Sequence, residues 1–155
     1  MSHEIEANDG MFYVNAEGRP WHGLGTPVDG VATSEEAMAA ASLNWEVELR
    51  SAFVQTKDQD DMMALPENQV VMRKDIDYPL GVVGDRYHVI QNVEAFNVMD
   101  SIVGEKLAMY HTAGSLRNGG VVWVSSKLPD TMRVLGSEDL IDMYLFMVTS
   151  HDGTF

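Results

Sequence analysis

The sequence contains no cysteine. That excludes a disulfide scaffold, a thiolate metal cluster and a cysteine nucleophile. Proline is scarce, with 5 in 155 residues, and so are basic side chains, with 10 Lys and Arg against 24 Asp and Glu. The formal charge is therefore -14 at pH 7, and nowhere do three Lys or Arg residues follow one another. A protein that grips nucleic acid by its backbone gains from releasing counterions through several basic contacts; here the overall field repels phosphate. A nucleic-acid partner is thus disfavoured by charge and would need a local basic groove. Every long apolar stretch is broken by charge well before 18 residues, so no membrane-spanning helix and no membrane partner are expected. The opening Met1-Ser2-His3-Glu4-Ile5-Glu6 lacks the basic region and apolar core of a signal peptide, which makes the cytoplasm the expected setting.

What is present suits a folded chain. Apolar residues make up 45%, and a protein of this size buries about two-thirds of its extended surface. The acidity is uneven, with a net charge of -10 over residues 1–77 and -4 over 78–155. Residues 1–31 read as an N-terminal arm with one apolar cluster, Met11-Phe12-Tyr13-Val14, and a Gly/Pro-rich loop. Residues 32–155 read as an α+β domain with a largely antiparallel sheet and two principal helices. Thr33 with Glu36 marks the first helix as a capping box. Asn92 marks the second as an N-cap, followed by the stripe Phe96, Met99, Ile102 and Val103.

Strands are expected at Trp45–Leu49, whose alternation puts Trp45, Val47 and Leu49 inward, and at Val70–Arg73. Residues 55–68 read as a loop or wide hairpin connection. Asn118-Gly119 is a hairpin turn signal, Leu128-Pro129-Asp130 a further turn, and Met143–Thr149 the most apolar strand, expected at the sheet centre. Methionines such as Met62, Met63, Met109 and Met132 read as fillers of irregular core gaps.

Several pieces of sequence carry a family likeness. They are His3-Glu4-Ile5, Pro20-Trp21-His22-Gly23-Leu24-Gly25-Thr26, Glu36-Ala37 leading to Leu43-Asn44-Trp45-Glu46-Val47, the 84–92 segment with Arg86-Tyr87, and Ser150-His151-Asp152-Gly153. Together they resemble the phage/plasmid-like proteins that carry the domain of unknown function numbered 932. The resemblance implies a product of a bacteriophage, prophage or plasmid, a mobile genetic element acting inside a bacterial host cell. It also implies that this chain is the N-terminal portion of a longer protein, incomplete at its C-terminal end. It brings no catalytic residues with it.

The candidate chemistry is a histidine with a carboxylate. His151-Asp152 follows an apolar strand, and with His22 and His111 these residues form the one conceivable metal set, at spacings that match no local motif. Against it stands a structural role, in which Asp152 caps its own turn and His151 donates to a backbone carbonyl. Gly23-Leu24-Gly25-Thr26 lacks the lysine and spacing of a phosphate loop. Arg86-Tyr87, with Arg117 and Trp123, supplies cations and stacking rings of the kind that hold single-stranded nucleic acid. The candidate binding residues are accordingly Trp21, His22, Arg86, Tyr87, Arg117, His151 and Asp152. No cofactor is expected. The leading functional expectation is a non-enzymatic binding or assembly protein, active in DNA metabolism or recombination, whose partner is itself or a host or phage protein. A metal-dependent hydrolase using the His/Asp set and an acidic inhibitor or decoy of a host protein are the alternatives.

Overall fold

The computed structural model describes residues 4–5, 10–15, 18, 23–30, 33–57, 61–104, 108–136 and 138–154. In chain order the elements are β1 (Met11–Val14), β2 (Thr26–Val28), α1 (Ser34–Ala40), β3 (Val47–Gln55), β4 (Met62–Arg73), β5 (Tyr78–Gly84), α2 (Asn92–Gly104), β6 (Met109–Leu116), β7 (Val121–Arg133) and β8 (Leu140–Ser150). The fold is α+β. Five strands form one sheet in the order β2-β1-β6-β7-β8, and three form a second in the order β3-β4-β5. Every pairing is antiparallel except β1 with β2, so the segment expected as an N-terminal arm supplies two strands to the larger sheet.

The helices form where the sequence signals them. Thr33 accepts a hydrogen bond from the Glu36 amide while the Glu36 carboxylate accepts one from the Thr33 amide, closing the capping box of α1. Thr33→Ala should cost about 1 kcal/mol in a urea titration, the usual worth of such a cap. On α2, Phe96 and Met99 are buried and Ile102 and Val103 pack against the core. Asp100 faces the start of α1, accepting from the Ser34 amide (3.1 Å), the Ser34 hydroxyl and the Tyr110 hydroxyl (2.8 Å). Burial, helped by this carboxylate, pushes the Tyr110 phenol well above its ordinary range. The core between helices and sheets joins Phe12, Leu43, Trp45, Val71, Phe96, Met99, Val122 and Val124.

Four expectations need correction. The first is the loop reading of 55–68: the segment does connect a hairpin, but most of it is strand. β3 and β4 pair from Val47↔Arg73 to Gln55↔Met62, with Ser51 opposite Gln69 and Phe53 opposite Ala64. Residues 65–68 therefore swell out opposite Ala52, and the swelling takes in Pro66, whose missing N–H then breaks no ladder bond. The second is the turn at Leu128-Pro129-Asp130, which is a bulge inside β7: Lys127 faces Tyr144 and Thr131 faces Asp142. Pro66 and Pro129 are thus both absorbed by bulges.

The third correction concerns β8, which lies at the edge of its sheet, not the centre. The fourth concerns methionine. Met38 and Met99 do fill the core, whereas Met62, Met63, Met109 and Met132 are exposed. Met62 and Met63 lie on the outer part of the β3–β4 ribbon, and Met132 lies on that of the β7–β8 ribbon, beyond the last β6–β7 pair.

Candidate functional site

The chain leaves β8 at Ser150 and turns back on itself over His151–Gly153. The turn is pinned to the β6–β7 connection, because the amides of His151 and Asp152 both donate to the Gly120 carbonyl (2.7 and 3.2 Å). It also presses on β5 of the other sheet. A Cβ on Gly81 would stand 2.5 Å from the Asp152 carbonyl oxygen, so only glycine permits this approach. Tyr87 adds a third tie, its hydroxyl donating to the Ser150 carbonyl (2.8 Å). Segment 150–153 is thus the joint between the two sheets.

His151 fills the joint. Its ring is 1% exposed, meets Trp45 edge-on at 5.4 Å and places Nε2 2.9 Å from Asn92 Oδ1. Asn92 Nδ2 donates to the carbonyls of Leu43 (3.0 Å) and Trp45 (3.4 Å), which fixes the amide with its oxygen toward the imidazole. The hydrogen-bond network therefore assigns the proton to Nε2, as donor. Nδ1 is buried without a hydrogen-bond partner among the described residues, as is Trp45 Nε1. Burial lowers the imidazole to about 4, although the neighbouring Asp152 charge pulls the other way, so the ring is neutral at pH 7.

Asp152 is occupied elsewhere. Its Oδ1 accepts from the amide (3.0 Å) and hydroxyl (2.6 Å) of Thr154, and its Oδ2 accepts from Arg117 Nη1 (3.1 Å). Burial works to raise this carboxyl, but the Thr154 hydrogen bonds and the Arg117 charge outweigh it and hold the carboxyl below its ordinary range. The capping role expected of Asp152 is present. The carbonyl partner expected for His151 is not: the partner is the Asn92 side chain, which leaves Asn92 with no N-cap duty. The first turn of α2 is met instead by Glu94, whose carboxylate accepts from the Gln91 amide (2.7 Å).

The remaining candidates scatter. Arg117 is exposed at the turn after β6 and pairs with Glu4 (2.8 Å) as well as Asp152. Trp123 stacks on Phe146 at 6.1 Å, on the sheet face away from the core. Arg86 and Tyr87 line a groove of about 460 Å³ on the smaller sheet, together with Glu48 and Asp85, whose carboxylates oppose the Arg86 charge. His111 meets Tyr144 edge-on at 4.9 Å. Trp21 and His22 lie outside the described residues. Among the described residues no three His, Asp or Glu side chains come together as a metal-ligand set, and His111, His151 and Asp152 do not converge.

Sequence reasoning missed Trp45, Arg73 and Asn92 as parts of this joint. Arg73 is 5% exposed, chelates Asp75 through Nε and Nη2 (2.9 and 3.0 Å), donates to the Asn118 carbonyl (2.9 Å) and lies 4.4 Å above the Trp45 ring. The available signal was Arg73 itself, an arginine closing the apolar run of β4. A long cation there needs both a carboxylate and a flat apolar surface. What the joint can do chemically is limited: its histidine is closed off from solvent, its carboxylate is neutralised by Arg117, and Ser150 is buried.

No curated protein and no solved structure matches this chain. One family model matches, and it begins inside β5 and takes in α2, β6, β7, β8 and the whole 150–153 joint: a domain described as "Domain of unknown function (DUF932)" occupies residues 79–155.

Proposed function

We propose that this chain is a binding or assembly module of a phage or plasmid protein that works in DNA metabolism through contacts and carries out no chemical step of its own. One observation supports the reading above all others. The residues with chemical potential at 150–152 are committed to holding two sheets together, whereas several strands leave large apolar side chains exposed. Phe53, Met62 and Met63 project from the β3–β4 ribbon, and Leu140, Ile141, Tyr144 and Phe146 from β8. Large apolar side chains left open together along a strand point to an interaction surface.

Sedimentation and gel-shift measurements test the proposal together. The expected result is concentration-dependent association, or retention of single- or double-stranded DNA, by the wild-type chain. A strictly monomeric protein that retains neither DNA removes the reading.

A further inference from the structure

The described residues present four sheet edges, and three are protected in the usual ways. β2 is three residues long and contains Pro27. β5 contains Pro79 and pairs with β4 through a register shift. β3 carries Glu48 and Arg50, tied at 2.6 Å. β8 is less guarded: it runs 11 residues without proline, the bulge in its pairing with β7 lies on the β7 side, and Met143–Ser150 carries no charge. No strand among the described residues pairs with its outer edge. Its outward side chains are large and open, with Phe146 61% and Tyr144 43% exposed.

The sequence at this edge reads nearly alike in both directions: Met143-Tyr144-Leu145-Phe146-Met147. We propose that β8 pairs antiparallel with β8 of a second copy of this chain, with the two-fold axis at Leu145. Self-complementarity is what an isologous interface requires, and this register supplies it on both faces. Leu145 meets its own copy, Met143 meets Met147, and Tyr144 meets Phe146, an aromatic cross-strand pair formed twice. Trp123 and His111, already against Phe146 and Tyr144, extend the ring contacts on either side. Asp142 falls opposite Val148, so the acidic groups of the two copies do not meet.

The register also fills a groove. Leu145, Met147 and Thr149 lie opposite Ser126, Val124 and Val122, on the helix-covered face, and by alternation Ile141 shares that face. Pairing places Ile141 of one copy opposite Thr149 of the other. There a groove of about 530 Å³ is lined by Val89, Ile90, Val98, Met147 and Thr149, with His88 and Glu94 also on its wall. Ile141 is itself exposed in the single chain, and the second copy sets it against Val89, Ile90 and Val98. The open apolar side chains of β8 amount to on the order of 500 Å² per copy, below the roughly 800 Å² per partner of a standard stable interface. The dimer is accordingly a dissociating one, and salt strengthens it because each copy carries -14.

This proposal rests on the contact reading above, and the cysteine-free background allows a register-specific test. Tyr144→Cys and Phe146→Cys alter exposed side chains, which spares the fold. Mixed and oxidised at about 100 µM, the two variants should give a covalent heterodimer in about tenfold excess over either variant alone, because directly opposed positions are within disulfide reach and diagonal ones are not. Phe146→Lys should weaken association about tenfold in sedimentation equilibrium, with unchanged circular dichroism. Equal cross-linking in mixed and single samples overturns the proposal. So does a wild-type chain that stays monomeric at about 200 µM, as expected if β8 instead receives a strand from another protein. A monomer that still retains DNA sinks the dimer and leaves the contact reading standing; a monomer that retains none removes both.

Discussion

Asn92→Ala should destabilise the protein by about 3–5 kcal/mol, read as a fall in the urea midpoint with little change in slope. The figure follows from what the amide does. It is 2% exposed, donates to two carbonyls and accepts from the imidazole of His151. Removing it leaves several buried polar groups without partners, each worth about 1–3 kcal/mol when orphaned, less whatever water recovers. A second cycle sharpens the expectation. His151→Ala and Asn92→Ala in combination should cost about 1–2 kcal/mol less than the sum of the single changes, since each alone orphans the other's group. Strict additivity would mean that the 2.9 Å contact is not a hydrogen bond that matters to stability.

The second large effect is on pH dependence. In the unfolded chain His151 titrates near 6.5, while burial in the folded joint holds it down to about 4. Above pH 6.5 neither state is protonated and the group contributes nothing to the slope. Between 6.5 and 4 the unfolded chain takes up a proton that the folded one refuses, so stability falls as pH falls. Below 4 both states are charged and the slope from this group flattens. The full window is worth about 3 kcal/mol. His151→Gln keeps an N–H donor and cannot titrate, so the wild type should lose about 3 kcal/mol more than the variant between pH 6.5 and 4 in parallel urea titrations. Asp152 has a folded value below the ordinary carboxylate range, so the stability it provides is lost only at still lower pH and leaves this window to the histidine. Parallel curves for the two proteins would show that the imidazole is not buried as a neutral base.

Local signals were the legible part of this fold. The capping box at Thr33 and Glu36, the apolar stripe of α2 and the turn around Asn118-Gly119 each act through neighbours within a few residues, and each appears where the spacing puts it. Signals that depend on the third dimension misled. Met143–Thr149 is apolar on both faces, which commonly means burial on both faces, yet strand order left it at an edge. Pro129 read as part of a turn because a single sequence cannot show a bulge ready to absorb it. Asn92 has the composition of a helix cap, and only the arrival of His151 from 59 residues away turns its side chain into a link between loop and joint. His151 and Asp152 stand out in the sequence as a histidine beside a carboxylate. Adjacency suggested one shared task, but the imidazole turns inward to Asn92 and the carboxylate outward to Arg117 and Thr154.

The claim beneath all of this is that His151 is a neutral, sealed strut and not a reactive or metal-binding group. Nitrogen-15 NMR of the imidazole, followed from pH 7 downward with and without added zinc, measures it directly. The joint described here requires one neutral form, protonated on Nε2, that persists to about pH 4 and does not respond to zinc. A titration midpoint near 6.5, or a zinc-dependent shift at Nδ1, would contradict it.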